Sequence, residues 1–173
     1  VSNDQMSLGV MHYAHQHGLV HRDVKPSNLM RTAGGATRVL DLGLARLLSD
    51  QPRTQQLTEI GQVLGTGDYI APEQGQDAGR ADARSDIYSL GCTLYFLLAG
   101  RAPFADPDHD TFVKKMMAHA EKPIPPITAI RGDIPEALVT ILGRMTAKSP
   151  AERFQTAADV AAALEQFMRP PRS

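Results

Sequence analysis

His21-Arg22-Asp23-Val24-Lys25-Pro26-Ser27-Asn28 sets a carboxylate, an ammonium group and a carboxamide within one short stretch of chain. A carboxylate can take up a proton, an ammonium group can face a phosphate, and a carboxamide offers a neutral oxygen to a hard cation. Working outward, Asp41-Leu42-Gly43 begins thirteen residues after Asn28, and Ala71-Pro72-Glu73 follows. Singly, the first cluster also reads as a turn of Asp, Pro, Ser and Asn, and Asp41 as the end of a strand. The order and spacing of all three set the combination apart.

Those three stretches resemble the catalytic loop, the DFG signature and the APE signature of protein kinases, in that order, and the resemblance extends over essentially the whole chain. It implies the large, C-terminal lobe of a serine/threonine protein kinase. The fold expected is mainly α (α+β): a helical bundle around a buried central helix, with a small β-hairpin at the catalytic loop. The Gly-rich loop, the strand lysine and the helix glutamate of a complete kinase are not found among the twenty residues before His21. Residues 1–173 are therefore expected to be the C-terminal lobe without its small N-terminal lobe, with residues 41–73 as the activation segment, and to turn over poorly by themselves.

Around the motifs, Met6, Val10, Met11 and Ala14 recur at helical spacing from Gln5 to about His17, and Gly18 is a helix stop. Leu29-Met30 and Arg38-Val39-Leu40 flank the turn residues Ala33-Gly34-Gly35-Ala36, which predicts a hairpin. Asp41 to Glu73 is polar and aperiodic, a long surface loop of the kind that is usually functional. Ser85 to Ala99 is apolar on nearly all sides and reads as the central helix, closed by Gly100. Helices are also expected over Asp110 to Ala120, Pro135 to Met145 and Ala157 to Met168, the last with Thr156 and Asp159 as a capping box. Lys122-Pro123-Ile124-Pro125-Pro126 reads as an extended connector.

Formal net charge is −1 with dispersed charges, so nothing points to nucleic acid or an anionic membrane. The single cysteine, Cys92, excludes an internal disulfide framework and reads as a small buried hydrophobe. The longest apolar run, Ile87 to Gly100, is too short to span a bilayer, so no membrane segment is expected in this chain. His12, His15, His17 and His21 lie close together, yet their spacing puts them on different helical faces with no cysteine or acidic partner. A solvated helix end is expected there, and His109 and His119 are expected to lack partners.

By resemblance, the cofactors are ATP and Mg2+, the partners are protein substrates and the missing N-lobe, and self-association through the uncovered face is expected. Localisation is cytoplasmic, where ATP is, with any membrane anchor outside this chain. Asp23 matches the catalytic base and Lys25 the lysine contacting the transferred phosphoryl group; Asn28 and Asp41 match the metal ligands. Met30 matches the floor of the adenine pocket, or is simply strand core. Thr66 matches the threonine bridging base and lysine. Glu73 is expected to pair with Arg153. Asp86 matches the aspartate that anchors the catalytic loop, or serves as a helix N-terminal charge. Arg22 and Arg46 match receptors for a phosphate on the activation loop, carried by Thr58 or, second, Thr54. Leu42 departs from the usual Phe. The alternative function is a non-catalytic binding or regulatory module on a kinase scaffold.

Overall fold

The structure is a computed structural model and describes residues 5–33, 37–39, 67–77 and 81–169. Asp41, Arg46, Thr54, Thr58 and Thr66 lie outside the described residues. The elements in order are α1 (Gln5–Gln16), β1 (Leu29–Arg31), β2 (Thr37–Val39), α2 (Pro72–Gln76), α3 (Ala83–Ala99), α4 (Phe112–Glu121), α5 (Glu136–Met145) and α6 (Ala157–Met168). β1 and β2 pair antiparallel, with Leu29 opposite Val39 and Arg31 opposite Thr37.

The apolar composition of α3 places it at the centre. Asp82 caps it, its side chain accepting from the Arg84 N–H at 2.8 Å, and Gly100 ends it in the left-handed region at φ 74°. Only a residue without a Cβ takes that conformation freely. Different faces of α3 then serve different neighbours. Ile87 packs with Ile141 and Met145 of α5 and with Phe154 and Val160. Tyr88 and Cys92 pack on Ala71, and Tyr95 on Ile127 and Leu142. α1 closes the bundle through Met11, which meets Val24 and Ala157. Val24 is thereby pinned in the core, so the residues on either side of it, Asp23 and Lys25, issue from a fixed point.

α6 starts at a reciprocal cap in which Thr156 Oγ1 accepts from the Asp159 N–H at 3.1 Å and Asp159 Oδ2 accepts from the Thr156 N–H at 3.0 Å. One expectation is corrected. The described end of the 41–73 stretch is not surface loop: Ala71 and Pro72 are buried, and Pro72 opens α2, where its missing N–H costs nothing. Contact with Tyr88 and Cys92 draws it inward. Among the described residues no helix is long and apolar enough to cross a membrane.

Candidate active site

The His21–Asn28 loop is held from beneath by a single carboxylate. Asp86, in the first turn of α3 and 0% exposed, accepts at Oδ2 from His15 Nε2 and from the His21 N–H, both at 2.8 Å, and at Oδ1 from the Arg22 N–H at 2.7 Å. A buried carboxylate is tolerable only with such donors. They hold Arg22 at φ 66°, a left-handed conformation costing a non-glycine residue about 1–2 kcal/mol. The Arg22 carbonyl is held as well, accepting from Gln74 Nε2 at 3.0 Å, while Gln74 Oε1 accepts from the Ala71 N–H at 3.1 Å. One glutamine thus ties the loop to the start of α2.

On this base the functional side chains converge. A single 3-10 turn, Pro26–Asn28, folds the chain back so that Asn28 Nδ2 donates to the Asp23 carbonyl at 2.8 Å and to Asp23 Oδ2 at 3.1 Å. Lys25 Nζ reaches the same Oδ2 at 2.7 Å. The Asp23 side chain remains 53% exposed, open to a reacting group, while Lys25 is 24% exposed. Both Asn28 bonds use its amide nitrogen, which leaves the carbonyl oxygen as the end for a hard cation. That orientation fits the expected Mg2+. Met30 is half exposed on β1.

Gly67 to Glu73 leads into α2, whose Gln74 meets the loop, and the segment is fixed at both ends. At the far end Arg153, 1% exposed, spends every guanidinium N–H: Nη1 donates to Glu73 Oε1 at 2.7 Å and the Arg84 carbonyl at 2.9 Å, and Nη2 to Glu73 Oε2 at 2.8 Å and the Lys148 carbonyl at 3.0 Å. Nε donates to the Ala147 carbonyl at 2.8 Å. Burial alone would raise the Glu73 carboxyl, but hydrogen bonds from Arg153 and from Ser85 Oγ, the latter at 2.6 Å, hold it below its usual range.

The structure therefore brings Asp23, Lys25 and Asn28 together, sets Asp86 and Arg22 beneath them, and joins Glu73 to Arg153. The histidine expectations need correction. His15 is engaged by Asp86 and His21 is buried, because α1 packs its last turns against α3 and the loop. His109 contacts Asp106 and Lys122, and His119 contacts Tyr88 and Asp68. Sequence reasoning assigned no role to His15 or Gln74. Gln74 directly follows Glu73, and that adjacency was its one local signal; His15 had none, since its partner stands 71 residues away.

A sequence model of the protein kinase domain matches residues 4–165. The chain is 41% identical over 155 residues to serine/threonine-protein kinase PknB of Mycolicibacterium smegmatis, covering 89% of this chain and 24% of that protein. PknB of Mycobacterium tuberculosis matches with the same identity and coverage. Among solved structures, the Mycobacterium tuberculosis PknI kinase domain superposes with a TM-score of 0.60 at 31% identity, over 92% of this chain and 50% of that one. The chain thus spans about a quarter of the length of the curated relatives it matches.

Proposed function

The chain belongs to the protein kinase family, and from that premise we propose that it is the C-terminal lobe of a serine/threonine kinase whose whole protein phosphorylates protein hydroxyls. The observation that carries the reading is the convergence of Lys25 and Asn28 on the Asp23 carboxylate. ATP with Mg2+ supplies the phosphoryl group when bound. Asp23 orients the substrate hydroxyl and takes its proton; Lys25 neutralises charge that builds on the transferred oxygens. Asn28 and Asp41 would hold the cation, Met30 would meet the adenine, and Thr66 would bridge base and lysine. Glu73, Arg153 and Asp86 support this set without touching substrate. Protein substrates and a small lobe are the partners, and the cytoplasm the location.

In the full-length protein, Asp23→Asn is expected to lower kcat by about 10²–10⁴ while leaving ATP binding intact. Asp41→Asn should weaken Mg2+-dependent nucleotide binding as well. Retention of near-wild-type turnover by Asp23→Asn would remove Asp23 as the base. No phosphoryl transfer by the wild type, with nucleotide still bound, would favour the non-catalytic module.

Regulation belongs to the same reading. Arg22 and Arg46 are cations suited to a phosphate on Thr58 or, second, Thr54. Mass spectrometry of the full-length protein after incubation with ATP should find phosphate on Thr58; full activity with both threonines unmodified assigns the arginines elsewhere.

A further inference from the structure

Four residues of α4 form one stripe toward the segment running from Gly67 into α2. Phe112 lies under Gly67, whose φ of 69° favours glycine and whose absent Cβ would sit 3.0 Å from the Phe112 ring. Lys115 Nζ pairs with Asp68 Oδ1 at 2.6 Å, both side chains being largely buried. Met116 packs under Gly75, where an added Cβ would come within 2.6 Å of its Cγ. His119, 0% exposed, lies 3.0 Å from the Asp68 carbonyl through Nε2 and 2.9 Å from the Tyr88 hydroxyl through Nδ1. Spacings of three, four and seven put all four on one helical face.

The partners decide the tautomer. A carbonyl only accepts, so Nε2 carries the proton and donates to Asp68, and Nδ1 accepts from the Tyr88 O–H. Burial, together with the nearby Lys148 ammonium, pushes the His119 pKa down to about 3, so the ring is neutral at physiological pH. Phe104 meets it edge-on at 4.9 Å between centroids. Lys148 Nζ donates to the His119 carbonyl at 2.7 Å and to Tyr88 Oη at 3.3 Å. The Lys148 carbonyl in turn accepts from Arg153, which holds Glu73. One continuous polar chain therefore runs from Asp68 to Glu73 behind the segment and grips it at both ends.

We propose that His119, supported by Lys115, is a positioning residue for the protein substrate: it holds the Asp68 end of the segment that leads into α2, so that the acceptor peptide docks on a rigid surface. The proposal rests on the kinase reading above. Asp68 spends both its carbonyl and its carboxylate on α4, so it serves the shape of this surface and not direct contact with substrate. A loosened segment raises the entropy lost on peptide binding, and leaves the nucleotide side, built on Asn28 and Met30, untouched.

The test uses the full-length protein and a serine/threonine peptide. His119→Leu removes the donor, and His119→Gln restores an Nε2 donor in nearly the same place. His119→Leu should raise the peptide KM about tenfold, the worth of one positioning hydrogen bond, with the ATP KM unchanged, and His119→Gln should recover most of that loss. Hydrogen exchange of residues 67–71 should rise in His119→Leu relative to α6 and return in His119→Gln. Lys115→Met, farther from the core, should move both readouts the same way if His119→Leu does not fold. Unchanged exchange in 67–71, or ATP and peptide KM rising together, overturns the proposal. If the wild type phosphorylates no peptide, the kinase reading falls, and the exchange measurement alone decides whether His119 anchors the segment.

Discussion

Arg153 and Asp86 use the same physics with opposite signs: each is a buried charge made tolerable because every hydrogen-bonding direction that matters has a partner. Such sites make stability depend on pH. Glu73 titrates below its ordinary 4.5, so its contribution is present above that pH and is lost as pH falls through the folded value. His119 is a base depressed from 6.5 to about 3, so the unfolded chain takes a proton below 6.5 that the folded chain refuses. Its contribution therefore also shrinks as pH falls from 6.5 toward 3. The charged groups around it are Lys148 and Asp68 with Lys115, and the His109 ring stands nearby. We expect the melting temperature to decline between pH 6.5 and 4.5, and the decline to be shallower in His119→Gln. Identical slopes for the two proteins in that window would show that His119 does not set them.

Among the elements, α3 and α5 approach closely because Gly91 has no side chain. A Cβ there would stand 2.7 Å from Thr146 Cγ2 and 2.9 Å from Met145 Cβ. Gly91→Ala gains about 1 kcal/mol of helix propensity but must push two packed side chains apart, which costs about 1–3 kcal/mol, so a net loss is expected. Gly143, in α5, has nothing within 4 Å of an added Cβ, and Gly143→Ala should raise stability by about 0.5–1 kcal/mol. Thermal melts of the two variants in parallel decide the matter: a Gly91→Ala protein as stable as Gly143→Ala would mean that the α3–α5 contact can open at no cost.

Over the whole molecule, the mainly helical fold of the protein kinase family leaves Val10, Tyr13, Leu19 and Met30 exposed on and near the elements that flank the loop. Exposed apolar side chains that gather on one surface mark where a partner is met, and Val10 and Leu19 line one pocket. On the proposed function that partner is the small lobe. A polypeptide of residues 1–173 is expected to self-associate in sedimentation velocity experiments, and Leu19→Glu with Met30→Glu to return it toward monomer. A monomer at every concentration would show that this face needs no cover.

Local physics was enough for the sequence to determine the buried central helix, the hairpin, the Thr156 cap and the crowding of Asp23, Lys25 and Asn28, because each depends on residues a few places apart. Composition and periodicity report whether a residue is buried. They do not report beside what. The pairing of Glu73 with Arg153, 80 residues apart, was legible only through resemblance to a family, and the structure holds the two in contact. His15 on Asp86, Gln74 on the Arg22 carbonyl and His119 on the Asp68 carbonyl had no such help, being 71, 52 and 51 residues from their partners. A buried polar group is satisfied by whatever the chain path brings near it, and that path exists only once the helices have packed. The tertiary structure alone decided those contacts, and with them which histidines are surface residues and which hold the site in place.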